Sequence, residues 1–198
     1  MTTLNNDFQI PWIHSTGYWK AESVDQMPQL HFDSFELLDH LKIILKNETL
    51  PIYDLGCGNC FYVKKLSKTH NITGIEKDIP RSCHNCNIIS HNLTEPIKQL
   101  PPGIVLSFEV GEHIPQEYES AFVNNISTLC SRLLIISWAG VNQPGFGHVN
   151  CKSSEDVIKL FENQGFKFNL ELTSQIRQGH KGITSYFADS LLVFNKDD

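Results

Sequence analysis

The chain has 198 residues, a formal net charge of −6, 40% hydrophobic and 19% charged side chains. That is ample for one core and short for two domains, and the acidic balance supplies no field to draw in nucleic acid or an anionic membrane. No apolar run reaches membrane-spanning length and the N-terminus lacks a basic-then-apolar leader, so a cytoplasmic protein with no membrane partner is expected.

In chain order, residues 1–48 read as an N-terminal arm and helix, and 49–198 as the core of a single domain. His14, Tyr18, Trp19 and His31 are scattered through the irregular arm, as a candidate lid or as aromatics packed on the core. Asp33 or Ser34 caps a helix with Phe35, Leu37, Leu38, Leu41, Ile44 and Leu45 at helical spacing. Leu50 to Leu55 reads as a buried strand that stops at Gly56-Cys57-Gly58, with a helix starting at Phe61. A second strand ends at Glu76, a third lies near Asn87-Ile88-Ile89, and a fourth spans Gly103 to Phe108. Glu117 to Leu129 is a helix, Leu133 to Trp138 the fifth strand, and Ser153 to Gln164 a capped helix. Phe166 to Leu172 and Ser190 to Phe194 are two last strands with no long helix between them. Alternating strands and helices predict a doubly wound, mostly parallel seven-stranded sheet with helices on both faces and an antiparallel edge hairpin. Ligands of such sheets bind beyond the carboxyl ends of the strands, which here carry Asp54, Glu76, His91-Asn92, Glu109 and Trp138.

Two glycines separated by one residue let a backbone approach a ligand, and the following helix aims free N–H groups at it. The run Asp54-Leu55-Gly56-Cys57-Gly58-Asn59-Cys60 resembles motif I of the class I S-adenosylmethionine (SAM) methyltransferases, an acidic residue followed by Gly-x-Gly-x-Gly. Cys60 replaces the third glycine. That is tolerable for SAM, which has no pyrophosphate, and awkward for NAD. Glu76, about 20 residues on, is placed to accept from a ribose diol. The resemblance implies a Rossmann-like fold, SAM as cofactor, and a binding set of Asp54, Gly56, Cys57, Gly58, Glu76, Lys77, Asn92, Leu93, Glu109 and Val110.

The fourth strand leads into Glu109-Val110-Gly111-Glu112-His113-Ile114-Pro115. This Glu-x-x-Glu-His-x-Pro pattern is similar to that of quinone-biosynthesis O-methyltransferases and of terminal 2′-O-methyltransferases of small RNAs. Two roles compete for it. His113 is a general base, its imidazole near working pH, or Glu109, Glu112, His113 and His148 hold a divalent metal ion that acidifies the acceptor hydroxyl. The bland alternative has Glu112 capping the next helix and His113 packed beneath the cofactor. The glycine-rich loop from Trp138 to Asn150 is the expected acceptor side, with His148 and Asn150 facing the acceptor and Trp138 or Phe146 stacking on a ring. The function expected is SAM-dependent O-methylation of a sugar, glycan or other small molecule. The alternatives are metal-assisted 2′-O-methylation of RNA ends and a SAM-binding module without catalysis. Nucleic-acid base methylation is disfavoured, because no Pro-Pro-aromatic run follows strand four and no basic, aromatic surface appears.

Cys57-x-x-Cys60 and Cys83-x-x-Cys86 mimic a four-cysteine zinc pattern. A metal would compete with the cofactor for the glycine turn, so reduced, unligated thiols are expected. His40, His70 and His180 read as surface residues.

Overall fold

A computed structural model describes residues 12–26, 31 and 33–196; the first part of the arm, residues 1–11, lies outside the described residues. The helices are α1 (Ala21–Gln26), α2 (Phe35–Ile44), α3 (Phe61–Leu66), α4 (Glu119–Leu129), α5 (Ser154–Glu162), α6 (Leu170–Ile176) and α7 (Phe187–Ser190). The strands are β1 (Ile52–Leu55), β2 (Ile72–Glu76), β3 (Ile88–Ser90), β4 (Gly103–Ser107), β5 (Cys130–Ser137), β6 (Phe166–Phe168) and β7 (Leu191–Lys196).

Every residue of β1 and of β4 is buried, as near-continuous apolar strands covered on both faces must be. They make the centre of a seven-stranded sheet of order β3-β2-β1-β4-β5-β7-β6. β1 pairs in parallel with β2 (Ile52 beside Ile72) and with β4 (Ile52 beside Ile104), while β7 runs antiparallel to β5 and to β6. One core lies under α2 and α3, built on Leu37, Leu41, Phe61 and Leu66; the other lies under α4 and α5, on Phe122, Ile126, Leu129 and Phe161. Local chemistry fixes the helix starts. Ser34 Oγ accepts from Leu37 N at 3.1 Å to open α2, and Ser153 Oγ accepts from Asp156 N at 3.1 Å to open α5.

The sheet is the Rossmann-like one expected. One connection differs from the expectation: the predicted strand over Phe166–Leu172 stops at Phe168, and α6 and α7 follow before β7. Asn169 ends the strand because its Oδ1 accepts from Leu172 N at 2.9 Å, a helix cap that competes with ladder pairing. The chain order turns back between β1 and β4, which opens a crevice beyond their carboxyl ends. The described part of the arm crosses it, tied down where Ala21 N donates to Asp78 Oδ2 at 2.9 Å and Arg81 N to Asp25 Oδ2 at 3.1 Å.

Candidate active site

The crevice is a cavity of about 380 Å³, within the range of small-molecule sites. Asp54, Gly56, Cys57, Gly58, Glu76, Lys77, Asn92, Leu93, Glu109, Val110, His113 and His148 all line it. Gly56 and Gly58 have φ of +73° and +49°, and a Cβ on Gly56 would come within 2.5 Å of Val110 Cγ2, so the turn hugs the loop after β4. The first turn of α3 presents fewer free donors than expected, since Phe61 N donates to Asn59 Oδ1 at 2.9 Å.

Two buried carboxyls stand at the floor. Glu76 accepts from Gly58 N at 3.1 Å and from Lys77 N at 3.0 Å, so it holds the turn as well as lining the cavity. Asp54 Oδ2 has no partner. Burial, and for Asp54 the nearby Glu76 charge, pushes both up to about 7. A buried carboxylate oxygen without a donor is costly, and a ligand bearing hydroxyl or ammonium donors would relieve it.

At the other end the polypeptide turns sharply. Glu109 has φ +54°, a left-handed conformation that a non-glycine residue adopts at a cost. Glu109 N donates to Ser137 Oγ at 2.8 Å, Gln143 Nε2 donates to Glu109 Oε2 at 2.6 Å, and Ser190 Oγ donates to Oε1 at 3.3 Å. Burial raises the carboxyl's pKa against the pull of these donors. The next turn, Gly111–His113, carries Glu112 wholly inside, with neither carboxylate oxygen hydrogen-bonded. Glu112 therefore does not cap a helix. Its pKa is pushed well up, by burial first and by the Glu109 charge second.

Two imidazoles close on Glu112. The Glu112 carbonyl accepts from Val149 N at 2.8 Å and Asn150 N at 2.9 Å, which pins the glycine loop against this turn. His148 Nε2 then lies 3.9 Å from Glu112 Oε1, and the His113 and His148 rings meet edge to face at 5.1 Å. One ligand atom each from Glu112, His113 and His148 fall within 4.8 Å of one another. The tautomers follow from the partners. His113 Nδ1 faces Gly147 O at 3.1 Å and His148 Nδ1 faces Gln143 O at 3.2 Å. A carbonyl can only accept, so both Nδ1 atoms carry the proton and both Nε2 atoms keep a lone pair. Burial and the neighbouring His148 lower His113 to about 4, and burial lowers His148. Two neutral imidazoles with Nδ1–H fixed on backbone carbonyls, beside a buried carboxylate, are donors of the kind that could hold a divalent cation. Glu109 stands beside this set but not in it, because Gln143 and Ser190 take its oxygens.

The roof is aromatic. Trp19 packs edge-on against His113 at 5.5 Å and His31 at 5.0 Å, and lies 5.8 Å from Phe146. Gly17 is required below it, since a Cβ there would strike the His113 carbonyl.

Three expectations are corrected. Trp138 cannot stack on a ligand: it is 2% exposed, packs on Phe122, and donates from Nε1 to Asn150 O at 2.6 Å. Asn150 does not face the crevice; its Nδ2 donates to Glu119 Oε2 at 2.7 Å. His180 is buried, with Nε2 on Ile176 O at 2.8 Å, rather than at the surface. The thiols also differ, because Cys60 and Cys83 are joined as a disulfide. Gln143, Ser137 and Ser190, which hold Glu109, were not singled out from the sequence. Gln143 lies inside the loop expected at the acceptor side, whereas nothing local marks Ser137 at the end of β5 or Ser190 at the end of α7 as anchors for Glu109.

No family model and no curated protein matches the sequence. Solved structures do. The chain superposes on the magnesium protoporphyrin IX methyltransferase of Synechocystis with bound SAH at a TM-score of 0.63 and 16% identity, covering 89% of this chain and 98% of that one. The N-methyltransferase NodS of Bradyrhizobium japonicum, in complex with S-adenosyl-L-homocysteine, gives 0.65 and 14%, over 87% and 91%. The [4+2]-cyclase SpnF gives 0.63 and 12%, over 93% and 97%. At such identities the likeness is one of fold. The fold is that of Rossmann-like methyltransferases, and the cyclase marks how far its chemistry can stray.

Proposed function

We propose that the chain is a SAM-dependent O-methyltransferase whose acceptor hydroxyl, on a sugar, glycan or other small molecule, is held at a divalent-cation site made by Glu112, His113 and His148 with Glu109 alongside. The observation that supports this reading is the gathering of one ligand atom each from Glu112, His113 and His148 within 4.8 Å of one another, with both Glu112 oxygens buried and unpartnered. The floor of the crevice suits the cofactor. Glu76 and Asp54 offer acceptors to a ribose diol and to the amino group of a methionine moiety, and the glycine turn leaves room for close approach without a cluster of cations for a pyrophosphate.

When bound, SAM supplies an electrophilic methyl on its sulfonium and the cation makes a hydroxyl more acidic. The protein's own groups position and deprotonate. His113 is a weak base at a pKa of about 4, which suits a ligand better than a general base acting near pH 7. Glu109, with its pKa raised by burial and its carboxyl held by Gln143 and Ser190, is the group to take the hydroxyl proton, on the Oε1 lone pair that the 3.3 Å Ser190 contact leaves open. Trp19, Phe146 and the Gln143–His148 loop line one side of the crevice, where closing over a bound ligand would keep water from the sulfonium. The remaining part of the reading is that the arm acts as a lid.

The same cation site also favours a second reading, 2′-O-methylation at an RNA end. The net charge of −6 weighs against it. One experiment addresses both: transfer of labelled methyl from SAM to a panel of sugars, small alcohols, catechols and short RNAs, with and without chelator. Cation-dependent labelling of a hydroxyl in a small acceptor supports the first reading, and salt-steep labelling of RNA ends supports the second. Labelling that ignores the chelator refutes the cation. Absence of both SAM binding and transfer refutes the methyltransferase reading.

A further inference from the structure

The two Cys-x-x-Cys pairs come together behind the glycine turn. Each pair closes the same way, as a tight turn with Cys60 N donating to Cys57 O at 2.8 Å and Cys86 N donating to Cys83 O at 3.0 Å. Gly58 and Cys60 in the first turn, and Asn85 in the second, adopt left-handed backbone to achieve it. The turns meet at Cys60 and Cys83, whose Cα atoms are 5.5 Å apart. Cys57 Sγ lies 3.7 Å from Cys60 Sγ. A tetrahedral zinc with Zn–S bonds of about 2.3 Å separates its sulfurs by about 3.8 Å. Cys86, three residues on from Cys83, is half-buried and packs against the hydrophobic core that contains Cys57, Cys60 and Cys83.

We propose that, in the reduced protein, Cys57, Cys60, Cys83 and Cys86 form a structural zinc site that fastens the β1–α3 turn to the β2–β3 connection beneath the crevice. The competition with a cofactor expected from the sequence is confined to Cys57, which alone of the four lines the crevice. Cys60, Cys83 and Cys86 do not line the crevice, and the Cys57 sulfur lies over Gly74 of β2, where a Cβ would come within 2.7 Å of it. The disulfide is the oxidised, metal-free arrangement of the same sulfurs. A dithiol reductant converts it: the Cys60–Cys83 bond breaks, two electrons and two protons pass to the cysteines, and the reductant leaves as its own disulfide. Zinc then replaces the four thiol protons. The zinc site stands or falls independently of the methyltransferase reading.

The test is cobalt(II) and zinc binding to the reduced full chain, with metal content by mass spectrometry and thiolate-to-cobalt charge-transfer absorption as readouts. One metal per chain with that absorption is expected, its affinity falling at least ~100-fold in Cys86→Ser, beyond the 10–100-fold typical of outer-shell changes. Glu112→Gln should leave the absorption unchanged, which separates this site from the one at His113 and His148. Cys86 is half-exposed, so its replacement decides the matter even if Cys57→Ser does not fold. Absence of the charge-transfer absorption in reduced wild type overturns the proposal. So does unaltered affinity in Cys86→Ser, or a Cys60–Cys83 bond that persists under reductant.

Discussion

Replacing Glu112 by glutamine separates a cation ligand from a structural carboxyl. Glu112 is fully buried with both oxygens unpartnered, and burial together with the Glu109 charge raises its pKa well above normal, so without a cation its charged form is disfavoured. The glutamine side chain has the same shape and no charge to desolvate. Without cation the substitution should therefore change stability by less than ~1 kcal/mol, the scale of one rearranged hydrogen bond. With cation the difference is large. Manganese or magnesium at 100 times its dissociation constant stabilises the wild type by about 2.7 kcal/mol. For a chain of this size that is a rise in Tm of about 5–11 °C. If losing the carboxylate weakens binding 100-fold, the same cation concentration gives only ~0.4 kcal/mol, or a rise of about 1–2 °C. The assay is thermal denaturation with cation and then with chelator. A wild type with no cation-dependent shift, or Glu112→Gln showing the full shift, would refute the site. A variant several kcal/mol less stable without cation would return Glu112 to a structural role.

Other outcomes follow from the floor of the crevice and the loop. Glu76→Ala should weaken SAM binding by roughly 1–3 kcal/mol through loss of hydrogen bonds, read by calorimetry; unchanged affinity would remove Glu76 from the cofactor site. Asp54 and Glu76 both have pKa values of about 7 in the fold, above 3.8 and 4.5 when unfolded. Their contribution to stability is complete below pH 4 and is lost as pH rises through 7, so the unliganded protein should melt lower at pH 8 than at pH 5. Donors on SAM favour the ionised forms, so its affinity should rise from pH 6 to pH 8 with proton release, measured by calorimetry in buffers of different ionisation enthalpy. Asn150→Ala should cost about 1 kcal/mol of stability by removing the Glu119 hydrogen bond, and should leave the KM for the acceptor unchanged; a selective rise in KM would put Asn150 back at the acceptor.

The strands were legible because parallel strands buried on both faces are mostly apolar, as in Ile52–Leu55 and Gly103–Ser107, where Asp54 and Ser107 are the polar exceptions. Helix starts were legible where a serine stood before an amphipathic run. The end of β6 was not, because Asn169-Leu170-Glu171-Leu172 alternates like a strand until Asn169 caps a helix. In the site, residues grouped in sequence, Glu109, Glu112 and His113, were easy to single out. What the sequence did not carry was direction. Trp138 and Asn150 sit in a loop rich in binding-site residues yet turn inward to each other and to Glu119. The cysteines were read as pairs, but their meeting depends on β1 and β2 being neighbours, a fact of topology rather than spacing.

The placing of β7 has a consequence for synthesis. It is translated after every other strand, yet it lies between β5 and β6, so β6 has no partner until residues 191–196 have left the ribosome. Ser190, which donates to Glu109, arrives with it, and α7 beside it supplies Phe187 to the crevice wall. A nascent chain halted before residue 190 can pair β1 to β5, but it has an unfinished crevice and a Glu109 short of one of its hydrogen-bond donors. Completion of the crevice is thereby tied to a chain whose sheet is finished.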